Sequence, residues 1–71
     1  MLQTNEKIRL LLKRKNMTIT ELAQKIEISR QNLTNKLTRN NFSENELKKI
    51  ATALNCSLIL EFEDSQTKEK I

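Results

Sequence analysis

The sequence predicts a mainly α-helical domain of four short helices followed by one β-strand. Three observations predict it. The apolar spacing i, i+3, i+4, i+7 occurs at Ile19, Leu22, Ala23 and Ile26 and again at Leu47, Ile50, Ala51 and Leu54, each a stripe on one helix face. A Thr or Ser followed three residues later by Glu opens both stripes, at Thr18 with Glu21 and at Ser43 with Glu46, the pattern of a capping box. From Ser57 to Glu63 the period changes to two, with Leu58, Leu60 and Phe62 on one face and Ile59, Glu61 and Glu63 on the other.

The first helix is expected from a cap at Thr4 to about Lys15, with Ile8, Leu11 and Leu12 turned inward. Leu10 falls off that stripe, so it is exposed or used by a partner. Arg9, Lys13, Arg14 and Lys15 crowd the last turns, where the helix dipole favours cations. The second helix starts at Ile19 behind the Thr18 cap. The third is capped by Ser29, and Leu33 and Leu37 are its only large apolar residues.

So narrow a stripe holds the third helix by one edge. Its other positions from Arg30 to Asn35 are Arg, Gln, Asn, Thr and Asn. Arginine and the amides can pair bidentately with guanine and adenine edges in the major groove. Two helices, a tight turn and an exposed amide face read as a DNA-binding helix-turn-helix. The charge agrees: residues 1–42 hold nine Lys/Arg against three Glu, whereas residues 43–71 hold four Lys against six Asp/Glu. The basic excess therefore coincides with the motif, as a phosphate-binding surface requires.

The stretch from Thr18 to Leu37 also resembles the Cro/phage-repressor type (lambda repressor-like, XRE) of helix-turn-helix protein. The resemblance rests on Leu22-Ala23, Ile28-Ser29 and Leu33, and with the flanking helices it covers about the first 55 residues. The sequence departs from the usual pattern with Glu27 in place of Gly, Ile19 in place of a phosphate-binding Gln, and Lys36 in place of an apolar residue. A left-handed Glu27 would cost about 1–2 kcal/mol. The resemblance implies a four-helix lambda repressor-like fold. It implies base contacts from Arg30, Gln31 and Asn35, with Thr34 a weaker candidate. It also places the loop after the third helix beside the phosphate backbone. Phosphate contacts are then expected from Arg39, Asn40, Lys36 and the cap at Thr18.

That loop, Thr38-Arg39-Asn40-Asn41, is a turn in a chain with no Gly or Pro, where Asn is the next best residue for a left-handed cap. Phe42 is expected to plug the core from the loop. The fourth helix begins at Glu44, floors the core and ends at a left-handed Asn55. The strand over 57–63 has no partner strand elsewhere in the chain, so its N–H and C=O groups are expected to pair with a second copy; the competing reading packs the segment as an extended tail against the first helix. Antiparallel pairing about a two-fold axis would bury Leu58, Ile59, Leu60 and Phe62, and some Cro-type proteins dimerise this way. Residues 1–63 thus form the DNA-binding domain with its dimerisation strand, and residues 64–71 are expected to be a disordered tail.

Length and composition bound the rest. Seventy-one residues make one domain with a marginal core, since about 60% of the unfolded surface is buried at this size. With one cysteine and no histidine, neither disulfides nor a metal cluster can brace it, and Cys56 reads as a small buried hydrophobe. No apolar run reaches the ~20 residues of a membrane span, and Met1 to Leu12 lacks a signal-peptide core, so a cytoplasmic protein is expected. The usual acid-base, nucleophile and phosphate-cradle sets are missing, so neither an enzyme nor a cofactor is expected. The expected function is a sequence-specific double-stranded DNA-binding transcriptional regulator, a repressor acting on a near-palindromic operator as a homodimer. The alternatives are a DNA-binding antitoxin that also masks a toxin, and a protein-interaction module that has lost DNA binding. RNA binding is disfavoured, because there is no Trp or Tyr and only two Phe to stack bases.

Overall fold

A computed structural model describes residues 1–71. Four helices appear in chain order: α1 (Thr4–Arg14), α2 (Ile19–Lys25), α3 (Arg30–Arg39) and α4 (Glu44–Ala53). Three of their starts are closed by local chemistry. Thr18 and Ser43 hydroxyls accept the N–H of Glu21 and Glu46, each at 3.1 Å, and those glutamates return to the backbone N–H of their caps. Ser29 Oγ accepts the Asn32 N–H at 3.0 Å. The start of α1 differs from expectation by one residue: Gln3 is the cap and Thr4 is already helical. The Gln3 N–H reaches Glu6 Oε1 at 3.2 Å, so the acid three residues on decides the start, not the threonine hydroxyl.

All four helices end by one device. A residue in the left-handed region follows each helix: Asn16 (φ 53°), Glu27 (φ 60°), Asn40 (φ 52°) and Asn55 (φ 56°). The next N–H then reaches back to a carbonyl five residues earlier: Met17 to Leu12, Ile28 to Ala23, Asn41 to Lys36 and Cys56 to Ala51, at 2.8–3.1 Å. This is the Schellman closure, which satisfies the last carbonyls of a helix. In a chain without glycine, asparagine takes the left-handed position three times. Glu27 takes it once, in the turn between α2 and α3, with the strain of a branched-free but bulky side chain there.

The helices enclose a core of Ile8, Leu12, Leu22, Ala23, Leu33, Leu37, Ile50 and Leu54. Leu22, Leu33 and Leu37 are wholly shielded from solvent. Met17, Ile19, Ile26, Ile28, Phe42, Leu47 and Cys56 pack around them, half-buried. Each helix therefore contributes through its stripe, and α2 lies against both α3 and α4. Leu10, off the α1 stripe, is exposed.

Beyond Cys56 the chain leaves this body. No strand forms over 57–63 in the single chain. Residues 64–71, read from sequence as a disordered tail, turn back on the end of that segment. Phe62 and Ile71 exchange both backbone bonds at 2.8 Å, Asp64 N–H reaches Glu69 O at 2.8 Å, and Glu63 faces Lys70 in an antiparallel bridge. The Asp64 carboxylate accepts the Gln66 and Thr67 N–H groups, and Lys68 takes a positive φ of 65° to close the turn. The projecting segment lengthens the molecule to 43 × 23 × 21 Å, with a radius of gyration of 13.5 Å. A compact chain of this length would have about 11 Å.

Candidate nucleic-acid interface

The candidate surface is built on α3. Leu33 and Leu37 sit in the core and pin one side of the helix. At 100° per residue the opposite side is formed by Gln31, Asn35, Thr38 and Arg39, all exposed. Arg30, at the first turn, is exposed as well. No acidic residue lies in α3, and Lys36 and Arg39 are in its last turn. Ser29 satisfies the third N–H of the helix, while those of Arg30 and Gln31 make no bond within the chain. Helix N-terminal N–H groups of this kind accept anions.

Thr38 and Asn32 belong to this exposed surface and were not among the residues singled out from sequence. The turn expected from Thr38 starts later, because α3 runs on to Arg39. The Leu33–Leu37 spacing is the signal that could have extended the helix, since Leu37 needs a following turn to be held.

Several expected contacts have partners inside the molecule. Lys36 Nζ forms an ion pair with Glu46 of α4. That pair explains a lysine where an apolar residue is usual, because it ties α3 to the start of α4. The Lys36 ammonium and the Ser43 N–H pull the Glu46 carboxyl down to about 2. Thr18 Oγ1 lies 3.1 Å from Glu21 Oε1 and donates to it, so the cap hydroxyl has both its roles filled and an acid beside it. Asn40 Oδ1 accepts the Asn5 N–H at 2.9 Å, and Asn5 Nδ2 donates to Leu37 O at 2.9 Å. The first turn of α1 is thereby fastened to the last turn of α3, a role for Asn5 with no signal in the sequence. The Asn40 amide nitrogen stays free to donate. Arg39 is exposed and makes no ion pair.

Thr34 is half-buried, and its hydroxyl is enclosed without a hydrogen-bond partner. No group of three or more His, Cys, Asp or Glu is placed to hold a metal, and no helix is long and apolar enough to cross a membrane.

A short capped helix, a left-handed turn and a second helix held by two leucines with its polar side outward define a helix-turn-helix domain of the DNA-binding class. Residues 7–65 match the Cro/C1-type HTH DNA-binding domain, and the chain belongs to that family. Neither curated proteins nor solved structures give a match.

Proposed function

We propose that this chain is a sequence-specific transcriptional regulator of double-stranded DNA, a repressor that occludes a near-palindromic operator as a homodimer in the cytoplasm. One observation carries the reading: α3 presents Gln31 and Asn35 on an exposed face of a helix that contains no acid. Amides on such a face pair with adenine edges, and Arg30 with guanine. The free N–H groups at the start of α3, the Arg39 side chain and the Asn40 amide nitrogen serve the phosphates. Thr34 offers a methyl group to a thymine rather than its hydroxyl to a base. Lys36 and Thr18 contribute less than their positions suggest, because Glu46 and Glu21 already engage them.

The dimer reading is supported by the projecting segment, in which Leu58, Ile59, Leu60 and Phe62 are all exposed. Two copies would set their α3 helices about 34 Å apart, matching successive major grooves. The same exposed apolar residues favour a second reading, an antitoxin whose arm covers a toxin.

Selection from random duplexes tests the function. The expected result is an enriched near-palindrome. Gln31→Ala and Asn35→Ala should each relax one or two base pairs and cost about 1–3 kcal/mol of discrimination. Variants that bind selected and random DNA in the unaltered ratio would remove α3 as the reader.

A further inference from the structure

The backbone of the projecting segment carries directional information that its side chains do not. In an extended chain, the N–H and C=O of one residue point to one edge and those of the next residue to the other. Phe62 and Asp64 turn theirs toward the returning chain, bonding Ile71 and Glu69, while Glu63 sits in the non-bonded pair with Lys70. The edge shared by even-numbered residues is therefore occupied at its far end. The edge shared by Ser57, Ile59, Glu61 and Glu63 is open along its length. None of the N–H or C=O groups of residues 57–61 makes a bond within the chain.

The side chains alternate as well. Leu58, Ile59 and Leu60 all border a groove of about 380 Å³ with Ile8, Leu11 and Leu54 of the body, to different depths. Leu58 and Leu60 are 37% and 59% exposed, against 79% for Ile59. Phe62 lies beyond the groove and is 76% exposed. Leu58 and Leu60 are thus more covered by the body than Ile59, and Phe62 overhangs it.

We propose that two copies pair antiparallel through the odd-numbered edge with the two-fold axis at Leu60, the returning chains 69–71 adding the outer strands of a four-stranded sheet. The inference rests on the homodimer reading and assigns its register. An axis at Leu60 sets Leu60 against the partner's Leu60 and Phe62 against the partner's Leu58. The overhanging ring is thereby carried over the other copy's groove. Ile59 and the partner's Glu61 exchange bonds, as do Ser57 and the partner's Glu63, so all seven residues are used. An axis at Glu61 sets two glutamates directly opposite, and an axis at Phe62 sets Glu61 against the partner's Glu63; like charges so placed repel. An axis at Ile59 pairs Glu63 with the partner's Asn55, whose N–H is committed to Thr52 O and whose left-handed backbone ends α4.

Amide hydrogen exchange on the intact chain, read residue by residue across a dilution series alongside sedimentation, tests the edge on which the register depends. At concentrations where the chain sediments as a dimer, the N–H groups of Ile59, Glu61 and Glu63 should slow about ten-fold or more while those of Leu58 and Leu60 stay fast. A dimer that protects Leu58 and Leu60, or that protects neither set, overturns the register and leaves the dimer standing. A chain that stays monomeric at hundreds of micromolar overturns both. Disulfide trapping in a Cys56→Ser background gives a second readout. Leu60→Cys should cross-link, because non-bonded pairs hold Cα atoms about 4.5 Å apart. Ile59→Cys should not, since its diagonal copy would lie about 7–8 Å away, beyond reach of a disulfide. The reverse pattern places the axis at Ile59 and overturns the proposal.

Discussion

The helical body and the projecting segment obey different rules. All eight buried residues lie between Ile8 and Leu54, whereas every residue from Ser57 to Ile71 is exposed. Three helices of the body close their starts, and all four close their ends, on groups three to five residues away. The segment from 57 to 61 closes nothing on itself. A helix meets its backbone needs alone and asks only for an apolar face to cover it. A strand needs a neighbour for every residue. One chain can therefore hold a finished helical domain and an unfinished sheet.

The largest effect separates the two regions. Leu33→Ala, in the core, should cost about 2–5 kcal/mol and unfold much of the protein, measured by urea titration of the helical circular-dichroism signal. Phe62→Ala should leave that titration unchanged at monomer concentrations. If it destabilised the monomer as Leu33→Ala does, the segment would belong to the core and the contrast would collapse.

A smaller effect sharpens the comparison within the body. The four left-handed turns are alike in hydrogen bonding and differ in residue, so Glu27 is the strained one. Glu27→Gly should raise stability by about 1 kcal/mol, the relief of left-handed strain less the entropy of glycine. Asn40→Gly should change it little, because Asn tolerates this conformation and its side chain also holds Asn5. Equal gains at both positions would show that the turn at Glu27 carries no special strain.

Electrostatics gives effects of similar or lesser size. Arg39→Ala should reduce the slope of log K against log salt by about one unit. Lys36→Ala should leave the slope nearly unaltered, since its ammonium is already paired with Glu46. A lost unit at Lys36 would mean that DNA draws it away from Glu46.

The last prediction concerns pH. Glu46 has a carboxyl pulled down to about 2 from an ordinary 4.5. A depressed folded-state value stabilises the fold above the ordinary value, and the contribution is lost as pH falls from 4.5 toward 2. Both side chains are roughly a third exposed, so solvent screening limits the pair to about 1 kcal/mol. Glu46→Gln should be less stable than the unmodified chain at pH 6 and equal to it near pH 2. A gap independent of pH would show that the ionised carboxylate contributes nothing to the fold.

What the sequence determined by itself is local. The capping boxes at Thr18 and Ser43, the apolar stripes and the left-handed Asn55 involve residues within five positions of each other. Their geometry follows from helix periodicity whatever the helices pack against. The exposed polar side of α3 was legible for the same reason, because Leu33 and Leu37 could face only one way. The partners of Lys36, Asn5 and Asn40, the enclosed Thr34 hydroxyl and the start of α1 at Gln3 were not legible. Those of Lys36 and Asn5 lie 10 and 35 residues away, at Glu46 and Asn40, and come within reach only once α1, α3 and α4 cross. The return of Ile71 to Phe62 was hidden too, since its bonds join backbone atoms, which carry no residue identity. Tertiary structure decides such contacts because hydrogen bonds and ion pairs act over about 3–4 Å, and only the packing of the helices sets which distant groups come that close.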